Sequence, residues 1–328
     1  MEKLAKGLVV ILILLAAAVP LVGKLITTRA ETIELRARMP ENGGWSQDVI
    51  NGQVNVPIKL RMTSDDVVHS FALGQSSLPS VEIFPGKFSE TELTFDQPGE
   101  YTFYCTRWCG DNHWRMRGTI IITGPSTGVQ PTSFPPLFLR LGLDLDAPHL
   151  AGVLPANRPN AAQGKELANF LPAMLTDGLT VWSNSPESLW EGLQADTKTE
   201  VLDDQQVWDM VAWGLSLQGG SDWLVQGREL YTQNCLACHG ESGQGDGVMV
   251  RDLPPMNDDK MGREATRPPD FSNPAVLLGA SPALLEGKII RGGMGTGMPY
   301  WGNIFTSEQI RSLVLYLYTF QLDLEVIP

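Results

Sequence analysis

The sequence predicts a multidomain protein with an N-terminal transmembrane helix, a β-sandwich domain and an all-α domain. Three observations support this: an apolar run near the N-terminus, alternating and β-branched segments up to about residue 123, and helical periodicity from about residue 160. The 328 residues suffice for about two domains of about 150 residues each. With 43% hydrophobic and 19% charged residues, the composition is globular and excludes a disordered or collagen-like chain.

The N-terminal run, residues 7–23, is uncharged and flanked by lysines. About 17 residues is the lower limit for a helix that crosses a membrane. A cleavable signal peptide, with Ala16 and Ala18 at the cleavage site, is the alternative. Because apolar residues continue beyond that site, we expect residues 1–32 to be a retained single-pass anchor. In either case the rest of the chain is exported.

The remaining boundaries follow from changes in composition. Turn signals at Pro85-Gly86 and Pro98-Gly99 separate short strands, which is typical of a β-sandwich. A stretch rich in proline and glycine then precedes the helical half. The predicted segments are the sandwich at 33–124, a linker at 125–159, a helical segment at 160–220 and a second helical domain at 221–328.

The first chemical motif lies at the end of the predicted sandwich. Cys105, Cys109, His113 and Met116 follow one another closely, and His69 comes after a predicted strand upstream. Thiolate, thioether and imidazole ligands select copper, and two cysteines on one loop can each bridge a pair of copper ions. The alternative is a disulfide or a redox thiol pair, neither of which requires the histidines and the methionine at these spacings.

This motif resembles the CuA centre of haem–copper oxidase subunit II, which is also found in nitrous oxide reductase, over residues 33–123. The resemblance implies a cupredoxin-like fold and a binuclear copper site. The implied ligands are His69, Cys105, the backbone carbonyl of Arg107, Cys109, His113 and Met116. The family usually has Glu where this chain has Arg107, and that Glu helps to hold a magnesium ion at the contact with the catalytic subunit. A carbonyl ligand does not depend on the side chain.

The second motif is Cys235-Leu-Ala-Cys238-His239, the attachment signature of haem c. Two thiols at this spacing reach the two vinyl groups, and the histidine offers a nitrogen to the iron. A zinc site or a redox thiol pair is the alternative. Residues 222–320 resemble a class I cytochrome c, whose sixth ligand is a methionine on a loop before the last helix. Met298 precedes a proline, as that ligand usually does, and is favoured over Met294.

The helical half also contains an internal similarity. Residues 202–218 align without gaps on 305–321, and Gln163-Gly-Lys-Glu-Leu resembles Gln226-Gly-Arg-Glu-Leu. The pattern predicts a duplication whose first copy, lacking cysteine, is a degenerate, haem-less cytochrome c-like segment. Chance similarity between amphipathic helices is the alternative.

Charge and cysteine usage limit the partners and the compartment. A net charge of −13 has the wrong sign for a protein that binds nucleic acid. Most of the negative charge follows residue 126, where it is suited to attract a basic electron donor. All 4 cysteines belong to the two motifs, whose cofactors are normally assembled outside the cytoplasm. His149, in the predicted linker, is interpreted as an ordinary surface residue.

The resemblance implies an electron-transfer subunit, as in caa-type cytochrome c oxidase, with one haem c and one binuclear CuA centre. Its expected partners are a catalytic haem–copper subunit I in the membrane and an electron donor, and its soluble domains are expected on the extracytoplasmic side. No substrate chemistry is expected on this chain. An electron-entry subunit of a nitric oxide reductase is the main alternative, and a copper chaperone is a second. Four histidines are too few for the catalytic copper cluster of nitrous oxide reductase.

Overall fold

The computed structural model describes residues 32–76, 78–107, 109–110, 113–125, 135–219, 221–251, 267–293 and 297–324. The predicted anchor, residues 1–32, therefore lies outside the described residues except for Thr32. Among the helices in the described ranges, none has the length and apolarity that crossing a membrane requires.

Eight strands form the predicted β-sandwich. They are β1 (Thr32–Ala37), β2 (Val49–Gln53), β3 (Ile58–Ser64), β4 (His69–Leu73), β5 (Val81–Ile83), β6 (Ser89–Leu93), β7 (Gly99–Tyr104) and β8 (Arg117–Thr123). One sheet has the order β1-β3-β6 and the other the order β2-β8-β7-β4-β5. The pairs β1–β3 and β2–β8 are parallel, whereas the other pairs are antiparallel.

Because side chains alternate along a strand, every second side chain tends to lie inside the sandwich. On β3, for example, Ile58, Leu60 and Met62 are buried and Lys59 is exposed. Between the sheets, the ring of Phe103 lies 5.5 Å from that of Trp45 and 5.4 Å from that of Phe71, measured between centroids. Such aromatic contacts add to the burial of apolar area in stabilising the core.

The helical half consists of α1 (Leu137–Arg140), α2 (Ala161–Glu166), α3 (Ala173–Thr176), α4 (Gly178–Ser183), α5 (Pro186–Gln194), α6 (Asp204–Ser216), α7 (Ser221–Asn234), α8 (Leu236–His239), α9 (Pro274–Leu278), α10 (Pro282–Arg291) and α11 (Ser307–Tyr318). The predicted all-α character of this half is confirmed. Short 3₁₀ turns lie at Pro40–Asn42, His113–Arg115 and Ala168–Phe170.

One hydrophobic core runs through the whole helical half. It joins buried residues of the segment 160–220, such as Trp208, to residues of the following domain, such as Tyr318. Leu137 and Phe138, from the predicted linker, are buried in the same core, so this connection packs against the helices rather than running free. Tyr104, from the end of β7, also belongs to this core, and the sandwich therefore contacts the helical half.

The two halves of the helical region are built alike. Helix α2 crosses α6 at Gly164, and α7 crosses α11 at Gly227. Helices α6 and α11 each begin with a capping box, at Asp203 and Thr306 respectively. Helix α4 contacts α10 while α9 contacts α5. Such reciprocal contacts are expected when two copies of one unit pack about a local two-fold axis. They agree with the predicted duplication, which remains a prediction.

The crossing at Gly227 gives a first testable prediction. A Cβ atom there would lie 2.2 Å from the carbonyl oxygen of Ser312, closer than atoms approach without a shift of the helices. We expect Gly227→Ala to lower the free energy of unfolding by about 1–3 kcal/mol, as overpacking does, even though alanine favours a helix by about 1 kcal/mol. Chemical denaturation measures this difference.

The matched control is Gly152→Ala. A Cβ at Gly152 would meet only the Glu187 carboxylate oxygen, at an ordinary 3.6 Å. Its midpoint of unfolding should stay at the wild-type value. A Gly227→Ala protein as stable as this control would show that the helix crossing has room for a methyl group, and the proposed tight contact would be wrong.

Candidate copper and haem sites

The copper motif occupies one end of the sandwich, where three strands meet. His69 is the first residue of β4, Cys105 directly follows β7, and Met116 directly precedes β8. The backbone N–H of Cys105 donates to the carbonyl of Met116 over 3.1 Å, which extends the β7–β8 pairing into the loop. The sheet therefore holds these three residues at one place although 36 positions separate His69 from Cys105.

The six predicted ligands form two neighbouring groups. Cys105 Sγ lies 3.9 Å from His69 Nδ1 and 3.3 Å from the carbonyl oxygen of Arg107. Cys109 Sγ lies 3.3 Å from His113 Nδ1 and 3.8 Å from Met116 Sδ. The ligand atoms of His69, Cys105 and Cys109 lie within 4.8 Å of one another, and all three residues are buried. Each cysteine sulfur thus lies within 3.9 Å of an imidazole nitrogen.

Two residues that the sequence interpretation did not assign support these groups. The Asp66 carboxylate lies 2.7 Å from His69 Nε2, which leaves Nδ1 directed at Cys105. The backbone N–H of Ser70 donates to Cys105 Sγ over 3.4 Å. A carboxylate on the distal nitrogen of a ligating histidine fixes the ring orientation and raises its basicity. In the sequence, the spacing Asp66-x-x-His69 could have indicated the role of Asp66.

The protonation of the pair suits metal binding. Cys105 and Cys109 are free thiols rather than a disulfide. The hydrogen bond from Cys109, with further contributions from His113 and His69, lowers the pKa of Cys105 far below its usual range. Cys105 is therefore the thiolate of the pair, and a thiolate is the form that binds metal.

The donor set fits copper. Two sulfurs from cysteine, one thioether, two imidazoles and a carbonyl converge at a buried end of a sandwich, and soft sulfur with imidazole is the set that selects copper over harder ions. The residues that would hold the metal are His69, Cys105, Arg107 through its carbonyl, Cys109, His113 and Met116.

The side chain of Arg107 forms an ion pair beside the predicted copper site. Its Nε donates to Glu82 Oε1 over 3.0 Å, and its Nη2 donates to Glu82 Oε2 over 2.9 Å. This bidentate pair connects the loop between Cys105 and Cys109 to β5. Both side chains are largely exposed, so the pair contributes at most about 1 kcal/mol to stability.

The haem motif spans the junction of α7 and α8. Cys235 follows the last residue of α7, while Cys238 and His239 lie in α8. The N–H of His239 donates to the carbonyl of Cys235 over 2.8 Å, so the two thiols and the imidazole share one helical turn. A Cβ at Gly247 would lie 2.2 Å from the carbonyl oxygen of Ala237, so the following loop packs closely onto this turn.

His239 has the properties of an iron ligand. Burial lowers its pKa to about 4, so the ring is neutral at neutral pH. Its Nδ1 is buried without a hydrogen-bond partner among the described residues, and the ring stacks on Phe271 at 5.0 Å between centroids. A neutral imidazole next to two thiols fits haem c. The residues that would hold the group are Cys235, Cys238 and His239, with Met298 as the second axial ligand.

Met298 lies on the loop between α10 and α11, as predicted for the sixth ligand. It is half-buried and packs against the helical core. Its carbonyl accepts from the N–H of Gly293 over 3.0 Å, and the loop turns at Gly292, whose φ is 72°. Met294, the other candidate, lies outside the described residues. His149, which has no assigned ligand role, is half-buried near Ala147.

Fold and sites together describe a chain that combines a β-sandwich carrying a candidate copper site with a helical domain carrying a haem c motif. Comparison with known proteins relates each of these two parts to a family. Residues 45–123 match the family "Cytochrome C oxidase subunit II, periplasmic domain", and residues 224–317 match "Cytochrome C oxidase, cbb3-type, subunit III". The chain thus joins a subunit II-type copper domain to a cytochrome c domain, and the cofactors of these domains are CuA copper and haem c.

Among curated proteins, two named cytochrome c oxidase subunit 2, both from Thermus thermophilus, are 35% identical over 79 residues. The match covers 24% of this chain and 58% and 46% of theirs, so this chain spans about half the length of these relatives.

Two solved structures show partial likeness. One is a haem–copper terminal oxidase dimer, with 24% identity, a TM-score of 0.26, and coverage of 36% of this chain and 97% of that chain. The other is the periplasmic domain of subunit II from Bradyrhizobium japonicum, with 22% identity, a TM-score of 0.24, and coverage of 28% and 83%.

Proposed function

We propose that this chain is the electron-transfer subunit of a haem–copper terminal oxidase. It accepts one electron at the cytochrome domain, passes it to the copper domain, and delivers it to a catalytic haem–copper subunit in the membrane. Bound haem and copper supply the redox change, and the protein supplies ligands that keep their geometry between oxidation states. Residues 7–23 would anchor the chain, with both domains on the extracytoplasmic side.

The observation that carries this proposal is the packing of the copper domain onto the helical core. Tyr104 directly precedes the ligand Cys105, yet its side chain is buried in the core that also contains Tyr231 and Phe271 of the cytochrome domain. Within the same core, the ring of Phe271 stacks on His239 and on Phe320. Contact of this kind favours transfer within one chain over transfer between separate proteins.

The route is tested by following both absorption signals after rapid mixing of the fully loaded chain with a one-electron donor. We expect the haem signal to rise first and then to decay as the copper centre is reduced. In a Cys109→Ser control, which is expected to lose the binuclear centre, the haem should stay reduced. If copper in the wild-type chain is reduced while the haem stays oxidised, or if the haem never passes its electron on, the proposed order is wrong.

A further inference from the structure

The contact between the two domains contains a half-buried arginine. Arg117 is the first residue of β8, directly after the copper ligand Met116, and its Nη1 donates to the carbonyl of Tyr300 over 2.8 Å. Its guanidinium also lies 5.1 Å from the centroid of the Trp301 ring. Tyr300 and Trp301 follow Met298 on the cytochrome loop. One hydrogen bond therefore joins the side chain of the residue that follows the predicted copper ligand Met116 to the backbone two residues after the predicted haem ligand Met298.

Further polar contacts surround this bond. The N–H of Gln75 donates to the carbonyl of Ile304 over 2.6 Å, and its side-chain amide donates to the carbonyl of Gly302 over 2.8 Å. The Asn303 side chain donates to Thr102 Oγ1 over 2.9 Å. A Cβ at Gly74 would lie 2.5 Å from the carbonyl oxygen of Asn303. The two backbones approach each other as closely as glycine permits.

The surroundings of Arg117 do not compensate the charge of its guanidinium with an opposite charge. No ion pair to an acidic side chain is found for it in the described ranges, and its Nη2 is buried without a hydrogen-bond partner there. The guanidinium is charged at neutral pH. A cation that is partly desolvated without an ionic partner lowers the stability of a fold. Here the charge lies over the indole of Trp301, where cation–π attraction holds it in place.

We propose that Arg117 is a positioning residue that holds the Met298 loop of the cytochrome domain against the copper-ligand loop, in the arrangement that the electron crosses. The inference rests on the proposed function. In this step one electron leaves the cytochrome domain and enters the copper domain, while no bond forms or breaks and no proton moves. Arg117 acts by setting the distance and the contact between the two loops, and it binds neither cofactor.

The test compares Arg117→Ala, Arg117→Gln and Arg117→Lys in the full chain. The first readout, which needs no cofactor, is hydrogen exchange at the Gln75 amide, because this N–H is bonded across the contact. We expect exchange to accelerate about ten-fold or more in the alanine and glutamine variants. Lysine, which keeps a charge and a donor, should restore part of the protection. Arg61→Ala is the matched control, because Arg61 also stacks on an aromatic ring, that of Phe88, but in the other sheet.

The second readout is the rate of electron transfer from haem to copper in the loaded chain. We expect this rate to fall about ten- to hundred-fold in the alanine and glutamine variants, as small misplacements of reacting partners do, with both absorption spectra unchanged. Arg61→Ala should match the wild type in every measurement.

Wild-type exchange and a wild-type rate in both Arg117→Ala and Arg117→Gln would overturn the assignment of Arg117 and leave the proposed route intact. If the alanine variant does not fold, the glutamine and lysine variants decide the question alone. Absence of haem-to-copper transfer in the wild-type chain, with Gln75 protected, would instead overturn the proposed function.

Discussion

Replacing Cys109 with serine is expected to abolish the binuclear copper signal. Cys109 Sγ contacts both His113 and Met116, and its hydrogen bond helps to keep Cys105 as a thiolate. A serine hydroxyl is a hard, protonated donor that neither bridges two copper ions nor supports the neighbouring thiolate. We expect copper content to fall to about half or less of the wild-type value, and the spectrum of a shared electron to disappear. Metal analysis and electron paramagnetic resonance measure both.

The matched comparison is Met116→Leu, which removes only the weakest predicted ligand from the same group. Its copper signal should change in shape and keep its binuclear character. The haem spectrum should stay the same in both variants, because the haem residues lie in another domain. A Cys109→Ser chain with the wild-type signal would contradict the whole ligand set, and a Met116→Leu chain without copper would show that the thioether is essential rather than weak.

Replacing Met298 with alanine is expected to lower the reduction potential of the haem by an amount on the order of a few hundred millivolts. A thioether opposite histidine favours the reduced iron, and axial ligands account for most of the range of haem potentials. The cysteine attachments remain, so the haem should stay bound while its visible spectrum changes. Redox titration of the purified chain measures the shift.

Two further methionine variants make this test specific. Met249→Leu changes a half-buried methionine of the same domain whose N–H donates to Ala237, and it should keep the wild-type potential. Met294→Leu distinguishes between Met294 and Met298, the two methionines that the sequence offers as the sixth ligand. If Met294→Leu lowers the potential and Met298→Ala does not, the assignment of the sixth ligand is wrong while the cytochrome domain stands.

The fold class and the motifs could be predicted because each depends on local patterns. Alternation along Val56–Met62 and the capping residues Thr306 and Gln309 need only a few neighbouring residues to be recognised. The Cys-x-x-Cys-His signature is likewise continuous in the chain. The ligand sets remain predictions, and the anchor lies outside the described residues.

Contacts between distant segments could not be predicted in the same way. Asp66 lies only three residues before His69, but its role depends on where the imidazole points. The Arg107–Glu82 pair spans 25 residues and the Arg117–Tyr300 bond spans 183. Nothing in the local pattern around Arg117 distinguishes a residue of the domain contact from an exposed strand residue, because the distinction arises only when the two domains pack.

The shared helical core has a consequence for which changes this molecule can tolerate. Trp208 and Val211, of the segment 160–220, complete the apolar interior on which the following domain depends. Removing that segment would expose an apolar flank of the cytochrome domain to solvent and favour aggregation. Substitutions in the segment should therefore be tolerated at its exposed positions and not at its buried ones.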